Sequence, residues 1–247
     1  MIPKIIHYCW FGPKKIPVQQ QNFIKGWKKL LPDYQFILWN EDNFDVNSAQ
    51  WTRAAYDCGK YAFVSDFVRC LVLSKYGGFY LDTDVELLKS LDFFVGLPYV
   101  LATDATAHYI IGSIIAVNTG EKFIQEILDY YQKEIFVNDK SFIETHTIPM
   151  IFERVLKNHY DFVIVNNIRE FGQARGCLFV FAPDFFSPQN NIDGSIHLTE
   201  NTVAFDHYAG SWLPWYKKIK NRLKKIVGPD VTRRLQIIKK KLKDPFD

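Results

Sequence analysis

The apolar positions of residues 61–86 follow one period and then another, and the change marks the centre of the chain. Phe63, Phe67, Cys70 and Leu71 stand at i, i+4, i+7 and i+8, the spacing of one helix face. Asp66 and Arg69, three apart, share a side of that helix. Gly77 and Gly78 follow Tyr76, where a left-handed helix stop is expected. Phe79-Tyr80-Leu81 then reads as a short buried strand, and it ends in Asp82-Thr83-Asp84.

The same reading extends in both directions. Residues 3–10 form a nearly continuous apolar run, as in a strand covered on both faces, closed by the turn Trp10-Phe11-Gly12-Pro13. Residues 19–31 predict a helix with Phe23, Trp27, Leu30 and Leu31 on one face, stopped by Pro32. Residues 34–39 alternate as a second strand, 40–47 are polar and loop-like, and 51–56 lead into the central helix. Strand, helix, strand, helix, strand at this spacing predicts an α/β sheet with parallel connections. Past Asp84, residues 85–97 show no clear pattern, and 99–102 and 110–117 read as strands. Asn118-Thr119-Gly120 is a turn, and 122–133 form an amphipathic helix with Phe123, Ile127, Leu128 and Tyr131 on one side. Residues 141–152 are ambiguous; 162–165 and 178–182 are short strands, 184–193 a loop, and 202–212 a short strand that delivers His207 to a turn.

Length and composition bound the answer. With 247 residues, 48% of them hydrophobic, the chain suits one domain with a large core. The predicted division is a catalytic domain over 1–213 and a tail over 214–247. Four cysteines show no metal-ligand spacing, and Cys9 and Cys70 sit in apolar runs as reduced core residues. The first residues enter a strand without room for a signal peptide, and no apolar run approaches the roughly 18 residues of a membrane span. The expected location is cytoplasmic, peripheral on the inner membrane face. The net charge of +3 conceals an asymmetry: residues 214–244 carry 12 Lys or Arg against two Asp, which leaves an acidic body with a basic tail. In that tail Ile219, Leu223, Ile226 and Val227, and beyond Gly228-Pro229 also Val231, Leu235, Ile238 and Leu242, form apolar helix faces. Such a segment suits an anionic membrane surface or packs back on the domain.

Two carboxylates at i and i+2 just past a buried strand repel each other unless a cation neutralises them, and oxygen-only ligation suits Mg²⁺ or Mn²⁺. A bare D-x-D is also the pattern of a solvated acidic turn. Trp10 lies where ligands gather beyond the carboxyl end of a strand, although a lone Trp is commonly core. His7 reads as a satisfied core histidine. Glu144 and His146 resemble an acid/base pair only by proximity and read as exposed-loop residues.

Ala62, Ser65, Asp66, Arg69, Gly77, Gly78, Tyr80, Leu81, Asp82 and Asp84 together form A-x-x-S-D-x-x-R followed by G-G-x-Y-L-D-x-D. This resembles the DXD glycosyltransferases of family 32, which include outer-chain mannosyltransferases and capsular-polysaccharide enzymes and are related to the glucosyltransferase domain of large glucosylating toxins. Ile2, Pro3, Lys4, Ile6, His7, Trp10 and Gly12 match a second family pattern, and His207 with Ser211-Trp212 a third. The resemblance implies a GT-A type fold, a nucleoside-diphosphate-sugar donor (UDP-linked), transfer with retention to a saccharide or lipid-linked saccharide acceptor, and a role in capsular or other cell-surface polysaccharide synthesis. It implies Mn²⁺ or Mg²⁺ on Asp82, Asp84 and His207, His207 standing where the toxins carry a carboxylate. It assigns Trp10 to the base, Asp66 and Arg69 to donor hydroxyls or ribose, and Tyr80, Asp82, Asn118, Ser211 and Trp212 to the donor as well. No side chain stands out as a nucleophile, so the catalytic residue is unknown at this stage.

Two other classes compete. Haloacid-dehalogenase-like phosphotransferases also end a strand with D-x-D, but their pattern wants Thr or Val where this chain has Glu86. A non-enzymatic basic protein bound to membrane or nucleic acid would account for the tail but leave the acidic body and the clustered carboxylates unexplained; no nucleic-acid partner is expected.

Overall fold

The computed structural model describes residues 1–173, 176–190 and 194–208. The predicted tail over 214–247, and Ser211 and Trp212, lie outside them. The first half of the chain alternates as its periodicities require: β1 (Ile5–Cys9), α1 (Val18–Leu30), β2 (Gln35–Trp39), α2 (Gln50–Asp57), α3 (Tyr61–Tyr76) and β3 (Gly78–Leu81). The second half is β4 (Val85–Leu87), β5 (Tyr99–Val100), β6 (Ile114–Val117), α4 (Lys122–Lys133), α5 (Lys140–Thr145), α6 (Ile148–Leu156), β7 (Asp161–Val165), β8 (Cys177–Phe181), α7 (Pro183–Phe186) and β9 (Ala204–Asp206).

The central sheet has the order β2-β1-β3-β6-β5. β1 pairs in parallel with β2 and β3, while β6 runs antiparallel to both β3 and β5, so four of the five strands point the same way. Two layers cover the sheet, and alternation along each strand feeds both. Tyr80, Ile115 and Val117 face a core shared with Phe63, Phe67 and Ile127 from α3 and α4. Phe79, Leu81 and Ile114 face the opposite core, with Trp27 of α1 and Phe185 of α7. Indole N–H groups fasten the helices from inside: Trp27 Nε1 donates to the Val85 carbonyl at 2.8 Å, and Trp51 Nε1 to the Phe63 carbonyl at 2.8 Å. Both tryptophans are fully buried, so each N–H needs such a partner.

α3 is buried along both of its flanks, with Val64, Val68 and Val72 as inaccessible as Phe63 and Phe67. The single predicted face was too narrow because α2 and α4 pack on it in addition to the sheet. Gly77 closes the helix at φ +63°, and Gly78 follows at φ +94°, where a Cβ would approach the Ile5 carbonyl to 2.8 Å. Only glycine permits that conformation and that approach together.

Several expectations change. Residues 85–97 contain β4, which pairs antiparallel with β9 some 120 residues later, Val85 opposite Asp206. The strand expected over 110–117 is confined to Ile114–Val117. Residues 141–152 contain the helices α5 and α6, the first capped by Asp139. Part of the expected loop over 184–193 is the end of α7. Among the described residues no helix is long and apolar enough to cross a membrane.

His7 is a structural residue, as its place in an apolar strand suggests. Its Nε2 donates to the Gly77 carbonyl at 2.9 Å and its Nδ1 accepts from Trp39 Nε1 at 3.1 Å, which defines a neutral ring tying β1 to β2 and to the end of α3. Burial pushes its pKa down to about 4, against the opposing effect of the Gly77 hydrogen bond. The folded chain therefore leaves His7 neutral where the unfolded chain protonates it. Stability should fall as pH drops from 6.5 toward about 4, with a slope approaching about 1.4 kcal/mol per pH unit. Urea unfolding across that range checks this, and His7→Leu should flatten the His7 contribution to the slope.

Candidate active site

Because β1 and β3 are parallel neighbours, the segments that follow them emerge at the same edge of the sheet, the edge at which α/β proteins bind ligands. From β1 comes Trp10, half-buried, its backbone N–H donating to the Trp39 carbonyl at 2.9 Å and its indole N–H to the Lys14 carbonyl. Two residues on, Gly12 adopts φ +88° with the Tyr61 ring in the space a Cβ would need. The Gly12 N–H donates to Glu41 at 2.6 Å. The indole is thus oriented through its polar edge.

From β3 comes Asp82, and the largest electrostatic feature of the site is how it is held. Arg69, 4% exposed, reaches from α3 and places Nη2 at 2.7 Å from Asp66 and 3.3 Å from Asp82. Nη1 donates to the Gly112 carbonyl and lies 3.5 Å from the second Asp82 oxygen. Nε donates to the Ser65 carbonyl at 3.4 Å. The guanidinium stacks over the Tyr80 ring at 4.5 Å, and the Tyr80 hydroxyl donates to Asp82 at 2.9 Å. Burial pushes the Asp66 carboxyl up to about 7; Arg69 opposes this, but its charge is shared with Asp82, which itself repels Asp66. Asp66 and Arg69, expected on donor hydroxyls, are therefore turned toward each other, Asp82 and the Gly112 carbonyl.

The turn after Asp82 carries Asp84 into β4, and the β4·β9 ladder brings the distant end of the described chain beside it. The His207 N–H donates to the Asp84 carbonyl at 3.2 Å. Asp206, 4% exposed, sits on the inner side. Its carboxyl is raised far above the usual range, first by burial and then by the negative charge of Asp84, with Asp82 adding to it. Asp82, Asp84 and Asp206 thus form one electrostatic group. His207 faces the other way, with Nε2 donating to Glu86 at 2.8 Å and its ring stacked on Phe23. Tyr208 follows at φ 47°, with its N–H on Asp206 at 2.8 Å.

Not every expected residue arrives here. Asn118 lies beyond the Val117 end of β6, and Val117 pairs with Gly78, so Asn118 is at the opposite end of β3 from Asp82. Its side chain closes the local turn, accepting from the Thr119 N–H at 3.0 Å. Asn118 thus serves the turn that the sequence 118–120 predicts. Glu144 is exposed on α5; His146 stacks on Phe142 at 3.7 Å and bonds Arg154 at 3.1 Å. Asp206 and Gly112 were missed. Asp206 was signalled only by a carboxylate next to His207 at a strand end. Gly112 carries no local signal, yet a Cβ there would stand 2.8 Å from Arg69 Nη1 and overlap Ile148.

Among the described residues no group of three or more His, Cys, Asp or Glu is gathered to hold a metal as the side chains stand, and Asp82 is turned to Arg69 and Tyr80. The chemistry of the donors fits a hard divalent cation all the same. Three carboxyl groups offer only oxygen, and the repulsion by Asp84 that adds to the effect of burial on Asp206 is what a cation would relieve.

Residues 17–103 match the family model described as the glycosyltransferase sugar-binding region containing DXD motif. The chain is 38% identical over 95 residues to inositol phosphoceramide mannosyltransferase 3 of Schizosaccharomyces pombe, covering 37% of this chain and 26% of that protein. It is 30% identical over 164 residues to an uncharacterized glycosyltransferase of Acanthamoeba polyphaga mimivirus, covering 62% and 63% of the two chains. The matched part of the chain thus spans about a quarter of the yeast relative and less than two thirds of the viral one. Among solved structures, the PaToxG glycosyltransferase superposes with a TM-score of 0.52 at 22% identity, over 64% of this chain and 69% of that one. That likeness shows the fold, a GT-A type with a mostly parallel central sheet.

The buried guanidinium makes a direct prediction. Arg69→Leu leaves Asp66 buried without its cation, and the expected loss is about 3–5 kcal/mol. Urea unfolding at neutral pH measures it.

Proposed function

We propose that this chain, whose residues 17–103 belong to the DXD-containing sugar-binding region of glycosyltransferases, moves a sugar from a UDP-linked donor to a saccharide or lipid-linked saccharide with retention of anomeric configuration. What supports the reading is one observation above the others: the Asp82–Asp84–Asp206 group and the half-exposed Trp10 ring share the edge of the sheet where β1 and β3 end. Neither competing class calls for an aromatic platform beside a carboxylate group.

In this reading the Trp10 ring stacks on the base of the donor, its polar edge already held by the Lys14 carbonyl. Asp82 and Asp84, with a third donor from His207 or Asp206, would hold Mn²⁺ or Mg²⁺. A divalent cation there offsets the charge that gathers on the departing diphosphate. Arg69 and Tyr80 keep the Asp82 carboxylate oriented; Asp66 shares the guanidinium and keeps its charge balanced. Relatives named for inositol phosphoceramide favour a lipid-linked acceptor over a capsular polysaccharide. A lipid-linked acceptor gives the basic segment 214–247 a purpose, holding the enzyme on the anionic cytoplasmic face of a membrane.

Hydrolysis of nucleotide sugars with and without Mn²⁺ tests the reaction class. Asp84→Asn should abolish turnover with little loss of stability, and wild-type turnover of that variant at saturating Mn²⁺ would refute the metal role. Trp10→Ala should weaken free nucleoside diphosphate and intact donor alike by roughly 5- to 150-fold, the equivalent of about 1–3 kcal/mol of base stacking. A lower unfolding temperature with unchanged affinity would instead assign Trp10 to the core. Full-length protein should sediment with anionic vesicles at low salt and be released as salt rises, whereas a chain ending at Leu213 should stay in solution.

A further inference from the structure

The basic tail is only part of the charge asymmetry of this chain. Residues 1–32 contain six Lys and no Asp or Glu, whereas residues 33–213 contain 12 Lys or Arg against 24 Asp or Glu. Lys4 is paired with Asp92 at 2.9 Å. Lys14, Lys15, Lys25, Lys28 and Lys29 are exposed, and none of them forms an ion pair among the described residues. α1 gathers the last three. Its inner side is committed to the core through Ile24 and Trp27. Its outer side carries Val18, Asn22, Lys25 and Lys29 at i, i+4, i+7 and i+11, with Gln21 and Lys28 beside them. All six are exposed, Val18 at 72%. α1 is also the crossover between the parallel strands β1 and β2, so it runs opposite to them, starting at the edge where Trp10 emerges. Lys14, whose carbonyl receives the Trp10 indole N–H, stands at the start of this flank.

We propose that the exposed face of α1 is the surface this protein lays against an anionic lipid membrane, setting the orientation of the domain there. The inference rests on the membrane reading given above, in which the segment 214–247 supplies attachment. Attachment by a terminal segment leaves a domain free to turn, and a second contact is needed to define which flank faces the lipid. Charge selects that flank. Lysines near an anionic surface are attracted to it, within a distance set by screening. Residues 33–213, with twice as many acidic as basic side chains, are repelled on balance. Because Ile24 and Trp27 hold the inner side of α1 in the core, the helix docks through headgroup contacts without inserting. With α1 lying along the membrane, the edge from which Trp10 and Asp82 emerge is presented side-on to the headgroups. A lipid-linked acceptor would carry its saccharide at that level. A merely solvated face is the competing role. Solubility is served by both signs interspersed, and this face carries one sign.

The test uses the full chain at low salt, with phosphatidylcholine vesicles prepared with and without phosphatidylserine. Lys25→Gln, Lys28→Gln and Lys29→Gln combined retain the helix propensity of α1. This variant should partition to phosphatidylserine vesicles roughly 100-fold less than the wild type, about five-fold for each side chain. Its unfolding midpoint and its donor hydrolysis in solution should be unchanged. Lys122→Gln, Lys133→Gln and Lys140→Gln combined remove the same charge from α4 and α5 and should leave partitioning near the wild-type value. Amine acetylation read by mass spectrometry reports the orientation without any substitution. On vesicles Lys25, Lys28 and Lys29 should be protected, while Lys133 and Lys140 react as they do in solution. If the two triple variants bind alike, or the α1 lysines react as fast on vesicles as in solution, the role of α1 is refuted and attachment by the tail stands. A wild-type dimer that only the α1 variant dissolves, with vesicle binding unchanged, assigns the face to a second copy and overturns the proposal. If the wild type ignores phosphatidylserine vesicles, the membrane reading fails and takes the role of α1 with it.

Discussion

A buried guanidinium holds this site together. Arg69 has its charge inside the protein, where an unpaired cation would be far too costly to keep. The fold answers with two carboxylates, Asp66 from its own helix and Asp82 from the end of β3, and with the Gly112 carbonyl from the segment before β6. Three parts of the chain are thereby tied at one point. Tyr80 lies beneath, giving its ring face to the cation and its hydroxyl to Asp82. Gly112 has no side chain because none would fit against Arg69 and Ile148. Asp82 is consequently an oriented group, whereas a lone acidic turn would leave it free to rotate in solvent.

The second constraint is the β4·β9 ladder. It is only three residues long on each strand, yet it closes the described chain back onto the turn that follows Asp82. Alternation along β9 divides its last residues between two environments. Asp206 turns inward, where burial and Asp84 raise its carboxyl, and His207 turns outward to Glu86 and Phe23. The carboxylate group and the imidazole thus flank Asp84 from different sides.

The family match covers α3 and the D-x-D turn but not the Gly112 and β9 partners that hold them. The matched region ends at residue 103, so it includes α3, the Arg69 cluster and the D-x-D turn, and it stops before α4, α5 and α6.

Much of the first half was legible in the amino-acid sequence. The helix over Tyr61–Tyr76, its glycine stop, the buried strand after it and the pairing of Asp66 with Arg69 follow from contacts between residues two to four apart, and such contacts leave a period in the sequence. His7 as core and Trp10 at a strand end follow in the same way. The direction of β6 did not, since an apolar run reads alike forwards and backwards, and that direction is what puts Asn118 at the opposite end of β3 from Asp82. Three residues of β4 carry no period, and their partner is about 120 positions away, so nothing local announced that Asp206 would join the carboxylates or that Glu86 would meet His207. Nor does the sequence show that the Arg69 guanidinium is enclosed by two carboxylates and a carbonyl. Sequence alone determined which residues form the D-x-D turn and the helix before it. Tertiary structure decided what each of them faces, because pairing direction and burial depend on contacts between segments far apart in the chain.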